Sequence, residues 1–451
     1  MLKSFRTLNH FLYIWILGAS LVFFSVQLAS AQTITLSQAY KRMLSFDLEF
    51  EILDLEDDVA EELIRQAKGE RYPRVNLSVS YVKTRQEIKS SDNTTFSSGV
   101  STFPTTTVSF SVVQPIFDLP RWRSMGLAQS EAELAKARAE VVRNRMAARM
   151  SSAFAGVARA QLRVERAKAF VRARSQLESA LSSQVDAGRE EIDVLFRAQG
   201  NTFGAKSDLA DAELGKTEAL FELYRFTGPG FENVAFRDRG LSSVNMNRLK
   251  RTFSRGTAKS MSPEVQAAKA GVIVAEKQQL RQKGNFYPTA SLSIDVTSEE
   301  TDGSLFGGGS DVLTSELGVN VTQSIYEGGV RRSRVREADL RIQIAQARVK
   351  QATDLAGQRY TGLMSSMKKA QSQVSAVSRQ LRKADQALVA TQDREQAGRV
   401  GAAQTMEARL RRDTLRTDVK LARLRVVRLQ FELYALFGSL DIDAISGQLD
   451  S

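Results

Sequence analysis

Lys68-Gly69-Glu70-Arg71-Tyr72-Pro73-Arg74-Val75-Asn76-Leu77-Ser78-Val79-Ser80-Tyr81 changes its period at one point. After Pro73 the apolar side chains fall on Val75, Leu77, Val79 and Tyr81, with Asn76, Ser78 and Ser80 between them. That period of two marks a strand with one apolar face. Proline lacks the N–H and disfavours the helical conformation at the preceding residue, so a helix before Tyr72-Pro73 must stop there. The passage recurs as Lys283-Gly284-Asn285-Phe286-Tyr287-Pro288, followed by the equally alternating Ser291-Leu292-Ser293-Ile294-Asp295-Val296.

Outward from this pair, further matches keep nearly the same offset. Gln114-Pro115-Ile116-Phe117-Asp118 returns as Gln323-Ser324-Ile325-Tyr326-Glu327, and Ala187-Gly188-Arg189 as Ala397-Gly398-Arg399. Phe221-Glu222-Leu223-Tyr224 returns as Phe431-Glu432-Leu433-Tyr434. A period near 210 residues is too long for a solenoid and implies a duplicated half-molecule. The expected organisation is a first repeat over 32–228, a spacer over 229–261, a second repeat over 262–438 and a tail over 439–451. Each repeat reads helix, β-hairpin, long helix, shorter helix. Thr35-Leu36-Ser37-Gln38 is a capping box opening a helix that runs to about Gly69. Ser262-Pro263 places an N-cap before a proline at the first helical position. Return strands read from Val108-Ser109-Phe110-Ser111-Val112 and Leu317-Gly318-Val319-Asn320-Val321, and Gly307-Gly308-Gly309 reads as a hairpin tip.

The 451 residues contain no Cys and one His, His10. His10 lies in an N-terminal stretch with Lys3 and Arg6, an apolar run from Phe11 to Val26, and Ala29-Ser30-Ala31. This is the pattern of a secretory leader over residues 1–31. A chain from Gln32 onward can build no Cys or His metal site, no thiol nucleophile and no His-based triad. Nothing sets a nucleophile beside a base, so the reading is non-enzymatic, with no cofactor and no metal. No Cys follows the cleavage site to carry a lipid, and no later apolar run approaches the roughly 20 residues of a membrane-spanning helix. Membrane contact would therefore come through a β-barrel or from the surface.

All seven prolines lie outside 121–228 and before 289. In the first of these stretches Ala132, Ala135, Ala139, Val142, Met146, Met150, Ala153, Val157, Ala160, Val164, Ala167 and Val171 recur about every 3.5 residues, the spacing of a coiled-coil seam. A helix from Arg121 to Ala187 would be roughly 100 Å long, and one from Gly328 to Ala397 roughly 105 Å. Two short helices placed end to end match one long helix in length. Four strands cannot close a barrel, and open edges are not tolerated in lipid. Either the strands make a small soluble sheet or several chains pool them. Three chains give twelve, enough for an open lumen. The small polar faces (Asn76, Ser78, Ser80, Ser109, Ser111, Ser291, Ser293, Asp295 and Asn320) suit a water-filled pore.

The duplicated halves, the Tyr-Pro lead-in to each hairpin, the Gln-x-Ile-aromatic-acidic exit and the Phe-Glu-Leu-Tyr-x-Phe/Leu-x-Gly helix ends resemble the TolC-like outer-membrane efflux proteins of Gram-negative bacteria, over essentially the whole mature chain. The resemblance implies a mainly α fold with β, a long α-helical coiled-coil barrel joined to four amphipathic strands per chain in a trimeric twelve-stranded transmembrane β-barrel. It implies a homotrimer in outer-membrane lipid with a periplasmic helical extension. The 229–261 spacer and the tail would fall in a mixed region at mid-tunnel. It further implies a passive exit duct docking to a periplasmic adaptor protein and an inner-membrane pump of RND or ABC type, in tripartite efflux or type I secretion. The alternative is a periplasmic structural coiled-coil docking protein without a pore.

In the family the periplasmic entrance lies at the turns between long and short helices, here Gly188 to Asp193 and Gly398 to Glu407. By resemblance Asp193 matches the entrance aspartate of the first repeat and Glu407 a ring-forming acid of the second. Leu410 stands where a second acid is usual, and Arg399 where an aromatic residue is common. Glu190 and Glu191 complete the set. Rings of acids tripled by symmetry favour cations.

The formal charge is +12, and the excess is concentrated in the last quarter of the chain, where 328–451 carries 23 Lys+Arg against 13 Asp+Glu. A leader-bearing chain does not meet nucleic acid, so this is a solvated Arg-rich helical face or a device that steers anions. Met146 and Met150 read as seam core, and Arg411-Arg412 as helix surface.

Overall fold

The computed structural model describes residues 33–89, 99–236, 246–303 and 308–439. The leader, the tail beyond Ser439 and Gly307 lie outside the described residues. The first half runs β1 (Thr33–Ile34), α1 (Leu36–Phe46), α2 (Leu48–Gly69), β2 (Arg74–Ile88), β3 (Gly99–Phe117), α3 (Leu119–Asp186) and α4 (Ile192–Thr227). Then follow β4 (Asn233–Val234), α5 (Met246–Thr252) and α6 (Arg255–Met261). The second half runs α7 (Pro263–Gly284), β5 (Thr289–Thr301), β6 (Ser310–Thr322), α8 (Val330–Gln396) and α9 (Ala402–Leu436).

The 68 residues of α3 and 67 of α8 make each helix about 100 Å long. α2 and α4 lie one after the other along α3, tied to it by Arg143–Asp54 at 3.0 Å and Lys168–Glu213 at 3.4 Å. α7 and α9 repeat the arrangement between α3 and α8. Arg166–Asp418 at 3.2 Å joins α9 to α3, and Arg359–Glu264 at 3.4 Å joins α7 to α8. The helical layer therefore reads α2 and α4, α3, α7 and α9, α8. Every residue of the Ala/Val/Met seam on α3 is buried or half-buried, because small side chains let the neighbouring helices approach closely.

One continuous helix from Thr35 to Gly69 is not what forms. The capping box at Thr35 is present, its side chain and that of Gln38 bonding reciprocally. The helix breaks at Asp47, which leaves the helical conformation and caps α2 by accepting from the Glu49 N–H at 3.1 Å. The break lets α1 turn off the line of α2, although Phe50 at the start of α2 still joins the cluster that α1 enters. Leu36, Ala39 and Met43 turn into a cluster with Val234, Phe231, Met150, Phe154 and Val157 at the middle of α3, whereas α2 follows α3 toward the sheet. The parallel pair β1–β4 closes that cluster. α5 and α6 pack at the middle of α8 through Leu249, Phe253 and Ala258. Ser262 sits at the N-cap position of α7, but its hydroxyl donates to Glu264 Oε2 at 2.6 Å and makes no side-chain bond to the helix backbone.

The four long strands form one antiparallel sheet in the order β2-β3-β5-β6. The register pairs Asn76 with Ser111, Ser78 with Ser109 and Ser111 with Asp295, so the small polar residues share a face. Leu77 pairs with Phe110 and Phe110 with Val296 on the other. The apolar face is open: Leu77 is 70% and Leu317 74% exposed. Among the described residues the outer sides of β2 and β6 carry no partner strand.

Candidate functional site

The joint between sheet and helices is built twice from the duplicated motifs. Gln114 Nε2 donates to the carbonyl of Arg71 at 3.0 Å, fastening the end of β3 to the residue before Tyr72-Pro73. Gln323 Nε2 donates to the carbonyl of Phe286 at 3.2 Å, the matching position in the second half. The acid that ends each motif stands at the start of a long helix, as its N-cap in the first half and two residues before the N-cap, Gly329, in the second. Asp118 accepts from the Arg121 N–H at 3.0 Å as the N-cap of α3. Glu327 lies 3.6 Å from the buried Arg331, which also donates to the carbonyls of Asn285 and Ser324 and lies over the Phe286 ring. Satisfying the orphan backbone groups of strand and helix ends in this way fixes the angle at which helices leave the sheet.

At the far end the two turns are alike. Gly188 (φ 66°) and Gly398 (φ 67°) take the left-handed conformation after α3 and α8. The Gly188 N–H bonds to the Val185 carbonyl at 2.9 Å and the Arg189 N–H to the Gln184 carbonyl at 2.8 Å. The Gly398 N–H bonds to Glu395 at 2.9 Å and the Arg399 N–H to Arg394 at 2.8 Å. This is a Schellman cap, and it accounts for the repeated Ala-Gly-Arg. Both turns lie at the same end of the layer, because Arg172, Gln176, Glu395, Thr405 and Met406 line one cavity of about 330 Å³ beside them.

The expected entrance residues all stand on or beside these turns. Glu190 and Glu191 are exposed in the first turn, and Asp193 is exposed in the opening turn of α4. Asp193 Oδ2 accepts from Arg197 Nη2 at 2.7 Å, an exposed pair one helical turn apart. Arg399 is exposed and Glu407 is exposed on the second turn of α9. Among the described residues no ion pair joins the two turns.

Sequence reading passed over a second feature, the free edges of the layer. α2 exposes Leu48, Ile52, Leu55, Val59 and Leu63 at steps of four and three, on the side away from α3. α4 exposes Phe196, Phe203, Leu214 and Phe221, and α8 at the opposite edge exposes Leu340, Ile344, Leu355 and Val389. The spacing on α2 was readable as a heptad seam, but no sequence pattern says that its partner is missing from the same chain.

Residues 41–229 and 255–439 match the family described as outer membrane efflux protein. The chain is similar to the outer membrane protein TolC of Vibrio cholerae, with 21% identity over 311 residues that make up 67% of this chain and 68% of that protein. Its fold is similar to the Campylobacter jejuni CmeC outer membrane channel (TM-score 0.75, 14% identity, 92% of this chain and 90% of the other). It is likewise similar to the outer membrane protein VceC of Vibrio cholerae (0.68, 18%, 90% and 97%) and to the open state of the Neisseria gonorrhoeae MtrE outer membrane channel (0.69, 16%, 90% and 89%).

Proposed function

We propose, from the premise that this chain belongs to the outer membrane efflux protein family, that three copies close into one tube. The chain is an outer-membrane exit duct of an efflux system, with a helical extension in the periplasm. The observation that carries the trimer is the agreement of its open edges. β2 lies on the same side of the chain as α2 and α4, and β6 on the same side as α8. A neighbour that pairs its β6 with this β2 therefore also brings its α8 against this α2 and α4. Such a head-to-tail contact closes into a ring when the rotation allows. Twelve strands leave no edge in lipid, their apolar faces outward and their serines lining water.

In this reading the two spacer helices and the 229–261 segment brace the middle of the tube, between repeats at 32–228 and 262–438. Asp193 and Glu407, with Arg399, Glu190 and Glu191 beside them, ring the periplasmic mouth. A periplasmic adaptor protein and an inner-membrane pump deliver cargo to that mouth, and the duct itself performs no chemistry. Fractionation tests the reading. The protein is expected in the outer membrane as a detergent-stable trimer, and recovery as a soluble periplasmic species overturns it in favour of a docking protein without a pore.

A further inference from the structure

Two arginines of the basic C-terminal quarter meet two from α3 in one groove. Arg425 and Arg428 on α9 face Arg159 and Arg163 on α3 across a cavity of about 380 Å³ that α8 borders with Gln373. Each pair sits three or four residues apart and so shares a helix face. Ser152, Ala155, Gly156 and Ala422 form a floor with little side-chain bulk, and nothing lies within 4 Å of a Cβ placed at Gly156.

The charges here are only partly answered. Asp418 is taken by Arg166 at 3.2 Å, and Arg425 donates to Gln373 at 3.2 Å. Glu432 lies 3.4 Å from Arg428 Nε, yet that buried nitrogen makes no hydrogen bond. Arg159 and Arg163 make no hydrogen bond or ion pair among the described residues. Burial and the neighbouring Arg163, Arg428 and Arg425 hold the Arg159 guanidinium below its ordinary pKa. Arg159, Arg163 and Arg425 stay exposed along the groove and Arg428 is half-buried, so solvent screens part of their mutual repulsion, and an anion placed between them offsets the rest. Guanidinium forks suit planar carboxylates and tetrahedral phosphates, which they bind through two parallel hydrogen bonds.

We propose that this groove binds a small, multiply charged oxyanion of the phosphate or polycarboxylate kind, held by Arg159, Arg163, Arg425 and Arg428. The groove lies on the face of α3 opposite Met150, Phe154 and Val157, which point to α1 and β4. With those bracing elements outside the tube, the arginines of three chains face its lumen. That siting rests on the trimeric tube proposed above, whereas binding to the groove does not.

The test is calorimetric titration of the purified full chain with sodium tripolyphosphate at fixed ionic strength. The double variant Arg159→Gln/Arg425→Gln is expected to bind at least tenfold more weakly. Arg411→Gln/Arg412→Gln, which removes the same charge outside the groove, is expected to stay within twofold of the parent. No measurable binding by the parent, or equal weakening in both variants, overturns the proposal. Should the first double variant fail to fold, Arg163→Gln alone is expected to weaken binding at least threefold, and an unchanged affinity overturns the proposal. Because the readout is binding and not conductance, failure here leaves the duct standing, and a chain that binds without conducting overturns only the duct.

Discussion

Replacing Ile52, Leu55 and Val59 together by alanine removes the centre of the α2 stripe without touching the chain's own core. The three side chains are 50%, 56% and 59% exposed, so half or more of each waits for a neighbour. Full burial of a side chain of this size stabilises by about 1.5–3 kcal/mol, so covering the open half contributes about 1 kcal/mol apiece. The triple variant thus loses about 3 kcal/mol at each interface. Releasing one protomer from a closed trimer breaks two interfaces, for a loss of about 6 kcal/mol, or roughly four powers of ten in dissociation constant. Dilution of detergent-solubilised protein followed by native mass spectrometry reads this directly. The variant is expected to fall apart at concentrations where the parent stays trimeric, with unchanged helical circular dichroism. Equal dissociation of parent and variant would refute the assignment of this stripe to the subunit contact.

Three further outcomes follow from the turns and the joint. Gly188→Ala and Gly398→Ala each force a side chain into the left-handed conformation with open space around the new Cβ, so each is expected to cost about 1–2 kcal/mol in thermal unfolding and to leave neighbouring contacts intact. Asp193→Asn and Glu407→Gln are expected to weaken block of the open channel by trivalent cations, and unchanged block in both variants removes these residues from the mouth. Gln114→Leu and Gln323→Leu each leave a carbonyl without its donor at the sheet–helix joint, with an expected loss of about 1 kcal/mol in heat stability and earlier proteolysis near Tyr72 or Tyr287.

The parts of the fold legible in the sequence are those governed by local chemistry. Strand alternation, the Thr35 capping box and the proline-free stretches are dictated within a few residues, and the repeats doubled the strand and long-helix signals. Asp47 marks the limit. It is followed by Glu49 and Glu51, the acid-rich first turn of a new helix, yet the amphipathic pattern around it runs on without Pro or Gly. The break is decided by where α1 packs, and that depends on β4, nearly 200 residues later. The turns were legible for the same reason as the capping box, since Ala-Gly-Arg is a local cap. The arginine groove was not, because α3 and α9 meet across more than 250 residues of sequence. Gln114 and Gln323 were visible as motif letters, but their acceptors are backbone carbonyls, which carry no signature in the sequence.

Single-channel recording of the purified trimer in planar lipid bilayers tests the duct most directly. The account predicts discrete, ohmic conductance steps whose size is unchanged by Ile52→Ala at concentrations that keep the trimer intact. Protein that inserts as a heat-resistant trimer and never conducts, with its adaptor present, would contradict it.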